Sequence, residues 1–471
     1  MKKIFINFIY QSLFQLLVIA MPLITIPIVS RALGAEGIGF YGFTNSIVNY
    51  FLLLAGFGMA SYAVREIAYV RNDRDKLSEK FWELQLFNTF FSAVVFFVYV
   101  IFFWLTNQHY LYLIQSLLIL SVFFDISWLF QAMENFKQIA VRRAIVKILS
   151  VLCIVTFVRD QGDLWIYALL LSSSQLISSL ILWSPAFKYV YFKKVTFKAI
   201  WSHFRPSLNF LVLKISATVF VSINKTLLGL MSTVVMVGYF TNSLLLITTL
   251  GAIIGALNQI MFPRMSSLQK IGNEKKLVEI LQKTIHIQLF FTVAMMFGII
   301  AINAQLISWF FGEDFYFVNN LIPILAPILI FRQLHQAIAD QFLVTKNEMK
   351  LYNGTMLLGT LVNVIVSFIA IPFIHGYGAA LGFVLGQVCL AISRSVILVK
   401  KSSFRFNWSN ILKWLFSGVV MLLIVWMITK NMSATIFTTV VQGFIGFIAY
   451  MLLTFILKAN LVLEVVKKWE R

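Results

Sequence analysis

Charge is what this sequence has least of. Only 12% of its 471 residues are Asp, Glu, Lys or Arg, about half the share of a soluble globular chain, which excludes an ordinary water-facing domain. Acids are the scarcer sign, at 18 against 38 basic residues. Cysteine occurs twice, as Cys153 and Cys389, each inside an apolar stretch; a disulfide framework is excluded and no redox compartment follows. The five histidines are scattered, which leaves no convergent acid–base set. No Gly-rich loop ending in Lys-Ser or Lys-Thr occurs, so direct ATP hydrolysis is excluded. No metal or other cofactor is expected.

What the chain has in quantity is hydrocarbon, with 60% hydrophobic residues and a mean hydropathy of +0.88. Apolar stretches near 20 residues, each able to cross about 30 Å of lipid as a helix, fall at roughly 10–30, 38–63, 82–105, 111–133, 140–158 and 164–184. A second set lies near 206–230, 234–261, 285–309, 321–344, 352–374 and 379–399, and a last pair near 414–430 and 436–457. The expected class is an all-α polytopic membrane protein of about fourteen transmembrane helices.

The two sets carry a repeat. Phe43-Thr44-Asn45-Ser46 recurs as Phe240-Thr241-Asn242-Ser243, each copy following a segment that ends in Leu-Gly (Leu33-Gly34 and Leu228-Gly229) and a Tyr-Gly or Gly-Tyr pair. Two six-helix repeats are therefore expected, forming two lobes around a central cavity as in secondary transporters. The boundaries are an N-terminal lobe at 1–184, a basic cytoplasmic linker at 185–205, a C-terminal lobe at 206–399, and two further helices with a basic tail at 400–471.

Lys and Arg are retained on the cytoplasmic side of short loops. Starting inside, about 31 of the 38 basic residues fall in cytoplasmic segments, and only Arg31, Arg159 and Lys430 outside. This partition places both termini in the cytoplasm. It also accounts for the formal charge of +20 without nucleic acid as a partner. The N-terminal apolar run is too long for a signal-peptide core and is expected to stay as helix 1. No outer loop is long enough to house an enzyme.

Ionisable residues at membrane depth cost about 2.5–3.5 kcal/mol each unless they face a polar interior. Helix 7 holds Lys214 and Lys225, eleven residues apart and so within about 20° of one face and about 16 Å along the axis. Ser207, Thr218 and Ser222 extend the stripe, which is expected to line a cavity. Snorkelling to the interfaces explains Lys225 better than Lys214. Helix 10 carries Arg332, His335, Gln336 and Asp340, and helix 4 has Asp125. Asp125, His335 and Asp340 are the candidates for ion coupling, His335 because an imidazole titrates near working pH; a structural ion pair with Arg332 or Arg394 is the plainer role for Asp340. Pro22 and Pro27 each remove a helical hydrogen bond and are the candidate hinge of helix 1. Arg31 closes that helix. Tyr41, Asn45 and Asn49 share one face of helix 2, and Gly378, Gly382 and Gly386 form a packing run in helix 12.

These residues resemble a known family, the Wzx-type flippases for lipid-linked oligosaccharide repeat units in the multidrug/oligosaccharidyl-lipid/polysaccharide exporter superfamily. The resemblance covers essentially the whole chain. It is carried by Ser30-Arg31-Ala32-Leu33-Gly34 through Gly42, by Gly56 to Arg65-Glu66, by Asp125 to Arg143 with Trp128, Gln131, Glu134 and Phe136, and by Leu228-Gly229 leading to Gly238-Tyr239. One departure is Asn224-Lys225, where such proteins often carry an acid beside the lysine; the carboxylate that coupling at that position would use is missing.

The resemblance implies a non-enzymatic flippase of the bacterial cytoplasmic membrane. Its substrate would be an undecaprenyl-pyrophosphate-linked oligosaccharide, moved to the outer leaflet by alternating access for capsule or O-antigen assembly. Lys214, Lys225, Arg332 and Arg31 would hold the anionic headgroup, and Asn45 and Asn242 the sugar hydroxyls. Membrane lipids, a polysaccharide polymerase and a chain-length regulator are the implied partners. The alternatives are a multidrug exporter of the same fold, which would favour an acidic aromatic pocket over lysines, and a membrane-embedded polymerase or acyltransferase.

Overall fold

The computed structural model describes residues 2–105 and 110–461, and the described residues contain helices and no strands. Ten helical stretches among them are long and apolar enough to cross a membrane. The fourteen expected stretches all fall on helices, because two of the ten are each a pair of helices joined across a break and two more expected spans are helices outside the ten.

The chain divides into two compact units, Met1–Thr226 and Leu227–Arg471, so the division falls near the end of helix 7. The first unit holds α1 (Lys2–Gly56), α2 (Met59–Val70), α3 (Arg74–Leu105), α4 (Leu111–Phe123), α5 (Ser127–Ala132), α6 (Phe136–Phe157), α7 (Leu164–Leu180), α8 (Trp183–Ala186), α9 (Phe197–Trp201) and most of α10 (Phe204–Met231). α1 is two helices joined at Gly34, whose φ of 64° and ψ of −179° belong to a region only glycine enters freely. Pro22 and Pro27 lie inside the helical run before that break.

Several expected spans are interrupted, two of them in ways that shape the first unit. The stretch 38–63 stops at Gly56 and restarts at Met59, with Phe57 and Gly58 at φ 39° and 74°. The cause is a close approach: a Cβ on Gly58 would lie 2.6 Å from Leu211 N and Ser207 O of α10. The stretch 111–133 breaks after α4, where Asp125 Oδ1 accepts from Ser127 N–H (3.0 Å) and the Asp125 carbonyl accepts from Trp128 Nε1–H (3.0 Å). Gly58→Ala combines left-handed strain with overpacking and should cost about 2–5 kcal/mol. The purified variant should unfold at a clearly lower temperature than the wild type; an unchanged unfolding temperature would disprove the contact.

Phe81, Phe87, Tyr99, Trp128 and Phe130 are fully buried large aromatics of this unit. Lipid tails are as apolar as these rings, so close packing and hydrogen bonds, more than water exclusion, hold such helices together. The basic stretch 185–205 is tied to α3. Lys193 pairs with Asp75 (2.6 Å) and Glu79 (2.8 Å), Tyr191 OH donates to Asp75, and Trp82 Nε1–H donates to the Tyr191 carbonyl (2.9 Å). Hydrogen bonding to Asp75 and then Glu79 holds the Lys193 ammonium above the usual lysine range.

The second unit holds α11 (Val234–Lys270), α12 (Glu274–Phe310), α13 (Val318–Leu325), α14 (Ile328–Ile338), α15 (Met349–Lys401), α16 (Trp408–Thr429) and α17 (Ile436–Ile456). α14 continues into a π-helical turn, Ala339–Val344, a wide turn that recurs at functional sites. α15 is again two helices, broken at Ile374 and His375. Its arms press together through the glycine run, where a Cβ on Gly382 would fall 1.9 Å from Ser367 Oγ. α12 packs against α14, α16 and α17. Tyr450 OH donates to the Phe290 carbonyl (2.9 Å) and Trp414 Nε1–H to that of Ala459 (2.8 Å), docking the last two helices.

Candidate functional site

In the first unit, the second arm of α1 meets α10 through polar side chains. The four-residue spacing of Asn45 and Asn49 puts them on one face, and Asn49 Nδ2–H donates to Asn45 Oδ1 (3.4 Å) and to Ser222 Oγ (3.5 Å). Thr226 Oγ1 lies 2.9 Å from Ser46 Oγ and 3.2 Å from Tyr50 OH. Hydroxyls and amides without water nearby must find partners of this kind.

Beside that seam lies a cavity of about 430 Å³, within the range of small-ligand sites. Asn49, Lys214, Thr218 and Ser222 supply its polar wall and Leu52 and Leu53 its apolar one. Lys214 is the charged residue among the lining side chains, is half-buried, and forms no ion pair among the described residues. The charge of Asp125 reaches it, but that carboxylate is paired with Arg143 Nη2 at 3.3 Å. The cavity therefore presents one ammonium, one amide and two hydroxyls beside an apolar wall. Such a set suits an anionic, hydroxyl-bearing ligand with an apolar portion.

The expected stripe on helix 7 is thus divided. Lys214, Thr218 and Ser222 line the cavity; Lys225 is half-buried on α10 and outside the lining. Asn45 sits one helical turn from the lining residue Asn49, and Arg31 is exposed just before the Gly34 break. Asn242 is buried in α11 of the second unit.

The other candidates of the second unit gather around Arg394, which is 2% exposed. Its Nε–H donates to Thr355 Oγ1 (3.1 Å), and its Nη1 donates to His335 Nδ1 (3.0 Å) and the His335 carbonyl (3.2 Å). His335 Nε2 lies 2.7 Å from Gln387 Oε1, the guanidinium stands 4.8 Å from the Tyr352 ring, and the Asp340 charge reaches it. A guanidinium only donates, so His335 Nδ1 is the acceptor, its proton is on Nε2, and the ring is neutral. A second ring proton would set N–H against N–H. Arg332 is half-buried on the same helix and forms no ion pair among the described residues.

Sequence reasoning did not reach the Tyr62, Glu83 and His203 contact. Tyr62 OH is 2.7 Å from His203 Nδ1, and His203 Nε2 is 3.2 Å from Glu83 Oε2. A histidine inside a basic, loop-like stretch carries no periodic signal of burial.

A multi-helix chain with breaks inside its long helices and a polar cavity between α1 and α10 has the architecture of a multi-pass membrane transporter. The Lipid II flippase MurJ in an inward closed conformation superposes with a TM-score of 0.72 at 17% identity, covering 97% of this chain and 100% of that one. An inward-facing multidrug resistance MATE family transporter of the MOP superfamily follows at 0.62 and 15%, covering 84% and 99%. At these identities the likeness is one of fold. The "Putative O-antigen transporter" of Escherichia coli (strain K12) is 22% identical over 415 residues, or 84% of this chain and 96% of that protein. The model of the polysaccharide biosynthesis protein family matches residues 4–269, more than half of the chain, and the chain belongs to that family.

Proposed function

We propose that this chain is a flippase that carries an undecaprenyl-pyrophosphate-linked oligosaccharide from the cytoplasmic to the outer leaflet of a bacterial cytoplasmic membrane, for capsule or O-antigen assembly. The observation that carries the reading is the cavity beside α1 and α10 with Lys214 in its wall. A pyrophosphate needs a cation and sugar hydroxyls need amides and hydroxyls; all three stand in one small space. Membership of a polysaccharide biosynthesis family, an exporter fold and the O-antigen transporter relative support it. Lys225, Arg332 and Arg31 are proposed as further contacts for the anionic headgroup, Asn45 and Asn242 for sugars. Movement is proposed to use the break at Gly34 with Pro22 and Pro27. Ion coupling is proposed for Asp125 and Asp340; His335 is the weaker candidate, because its ring is neutral and tied at both nitrogens. A polymerase and a chain-length regulator would act on the delivered units, and both termini would lie in the cytoplasm.

Drug export is the second reading, favoured by the MATE fold and opposed by Lys214, which repels organic cations. The test is expression in a bacterium lacking its own repeat-unit flippase, with surface polymer measured beside a drug-sensitivity panel. Restored polymer with unchanged drug sensitivity is expected. Drug resistance without polymer would reverse the assignment.

A further inference from the structure

The two buried histidines described above differ in what faces their rings. Arg394, a donor only, locks His335 as neutral. His203, 3% exposed, has a hydroxyl at Nδ1 and a carboxylate oxygen at Nε2. A hydroxyl can donate or accept, whereas a carboxylate accepts. With one ring proton, Tyr62 O–H donates to Nδ1 and Nε2–H donates to Glu83. With two, both ring N–H groups donate and the Tyr62 hydroxyl turns over. Neither state breaks a hydrogen bond of the ring, and no heavy atom of these three side chains has to move.

The charges around the ring come from three sides. From α3, Glu83 Oε2 also takes Lys80 Nζ at 2.5 Å. From α2, Arg65 stands over the Tyr62 ring at 5.3 Å and pairs with Glu66 at 2.9 Å. On α10, which follows the ring directly, Arg205 is exposed. Lys80 is the more exposed member of its pair, 27% against 7%, so it can withdraw to water when an imidazolium takes its place on Glu83.

We propose that Tyr62, Glu83 and His203 form a proton-binding site at the start of α10, and that the proton bound there drives the movement of this helix. The second part rests on the export reading above. His203 precedes α10 directly, and its carbonyl accepts from Ser207 N–H (3.1 Å) and Ser207 Oγ–H (2.7 Å). An imidazolium in that place repels the positive end of the α10 dipole, so the proton acts on the helix that carries Lys214. This site differs from Asp125, His335 and Asp340 in having both a counter-charge and a reversible partner for the ring.

The full chain, labelled at histidine and held in lipid nanodiscs, is to be followed by NMR from about pH 8 to about pH 5, the window in which imidazoles change charge. His203 is assigned by the signal lost in His203→Gln. The site requires this ring to gain a second N–H as the pH falls, while His335 keeps one. The transition should move by about one pH unit, downward in Glu83→Gln and upward in Lys80→Gln, with Tyr62→Phe also moving it downward; unfolding temperatures establish that each variant is folded. A His203 ring that stays in one state, or one whose transition ignores Glu83 and Lys80, overturns the site. In the complementation strain, His203→Gln should reduce surface polymer to background at an unchanged amount of protein in the membrane. Undiminished export by that variant overturns the coupling and leaves the export reading intact. A wild type that exports nothing refutes the export reading, while the titration still decides the proton site.

Discussion

Lys214→Ala is expected to reduce surface polymer in the complementation strain about 10- to 150-fold, the equivalent of losing one charge-assisted hydrogen bond of about 1.5–3 kcal/mol at the headgroup. Lys214 is the charged group in the cavity wall, and Asp125, the acid whose charge reaches it, is already engaged by Arg143. No structural ion pair is therefore broken by the change. Protein level and unfolding temperature should stay at the wild-type values, which separates a binding defect from a folding defect. Lys214→Arg keeps the charge and should retain most of the activity, whereas Lys214→Met keeps the apolar stem and should not. Full export by the alanine variant would remove the cavity from the account of headgroup binding.

Arg394→Leu is expected to destabilise the second unit by about 3–5 kcal/mol, the range for removing one partner of a buried charge network. The substitution leaves Thr355 Oγ1, His335 Nδ1 and the His335 carbonyl without their donor and Asp340 without the cation that faces it. Arg394→Lys should recover little, since one ammonium cannot reproduce donors on Nε and Nη1 at once. Gln387→Ala, which takes one acceptor from His335 Nε2, should cost only about 1–3 kcal/mol. Unfolding temperatures of the purified variants measure the series. If Arg394→Leu unfolds with the wild type, the network does not hold α14 to α15.

Much of the architecture was legible without coordinates. Leu33-Gly34, repeated as Leu228-Gly229, marks the break of α1, and Gly378, Gly382 and Gly386 lie where the two arms of α15 press together. The polar faces of Asn45 and Asn49 and of Lys214, Thr218 and Ser222 were read from helical spacing, and they meet around one seam and one cavity. The breaks at Gly58 and Asp125 were not legible. Gly58 is decided by α10, about 150 residues away in the chain, and no local pattern announces such an approach. Shared periodicity also did not place Lys225 with Lys214 in the cavity, because 20° of rotation and 16 Å of rise carry it to different neighbours.

The sequence by itself determined the solvent, the helices and the family, because apolar run length and short motifs are properties of neighbouring residues and need no partner. Tertiary structure decided which polar groups act together. Glu83 and His203 are 120 positions apart, Tyr62 and His203 141, and His335 and Arg394 59. Buried from water, each such group must find its hydrogen-bond partner on another part of the chain, and only the packing of the helices brings the partner within reach.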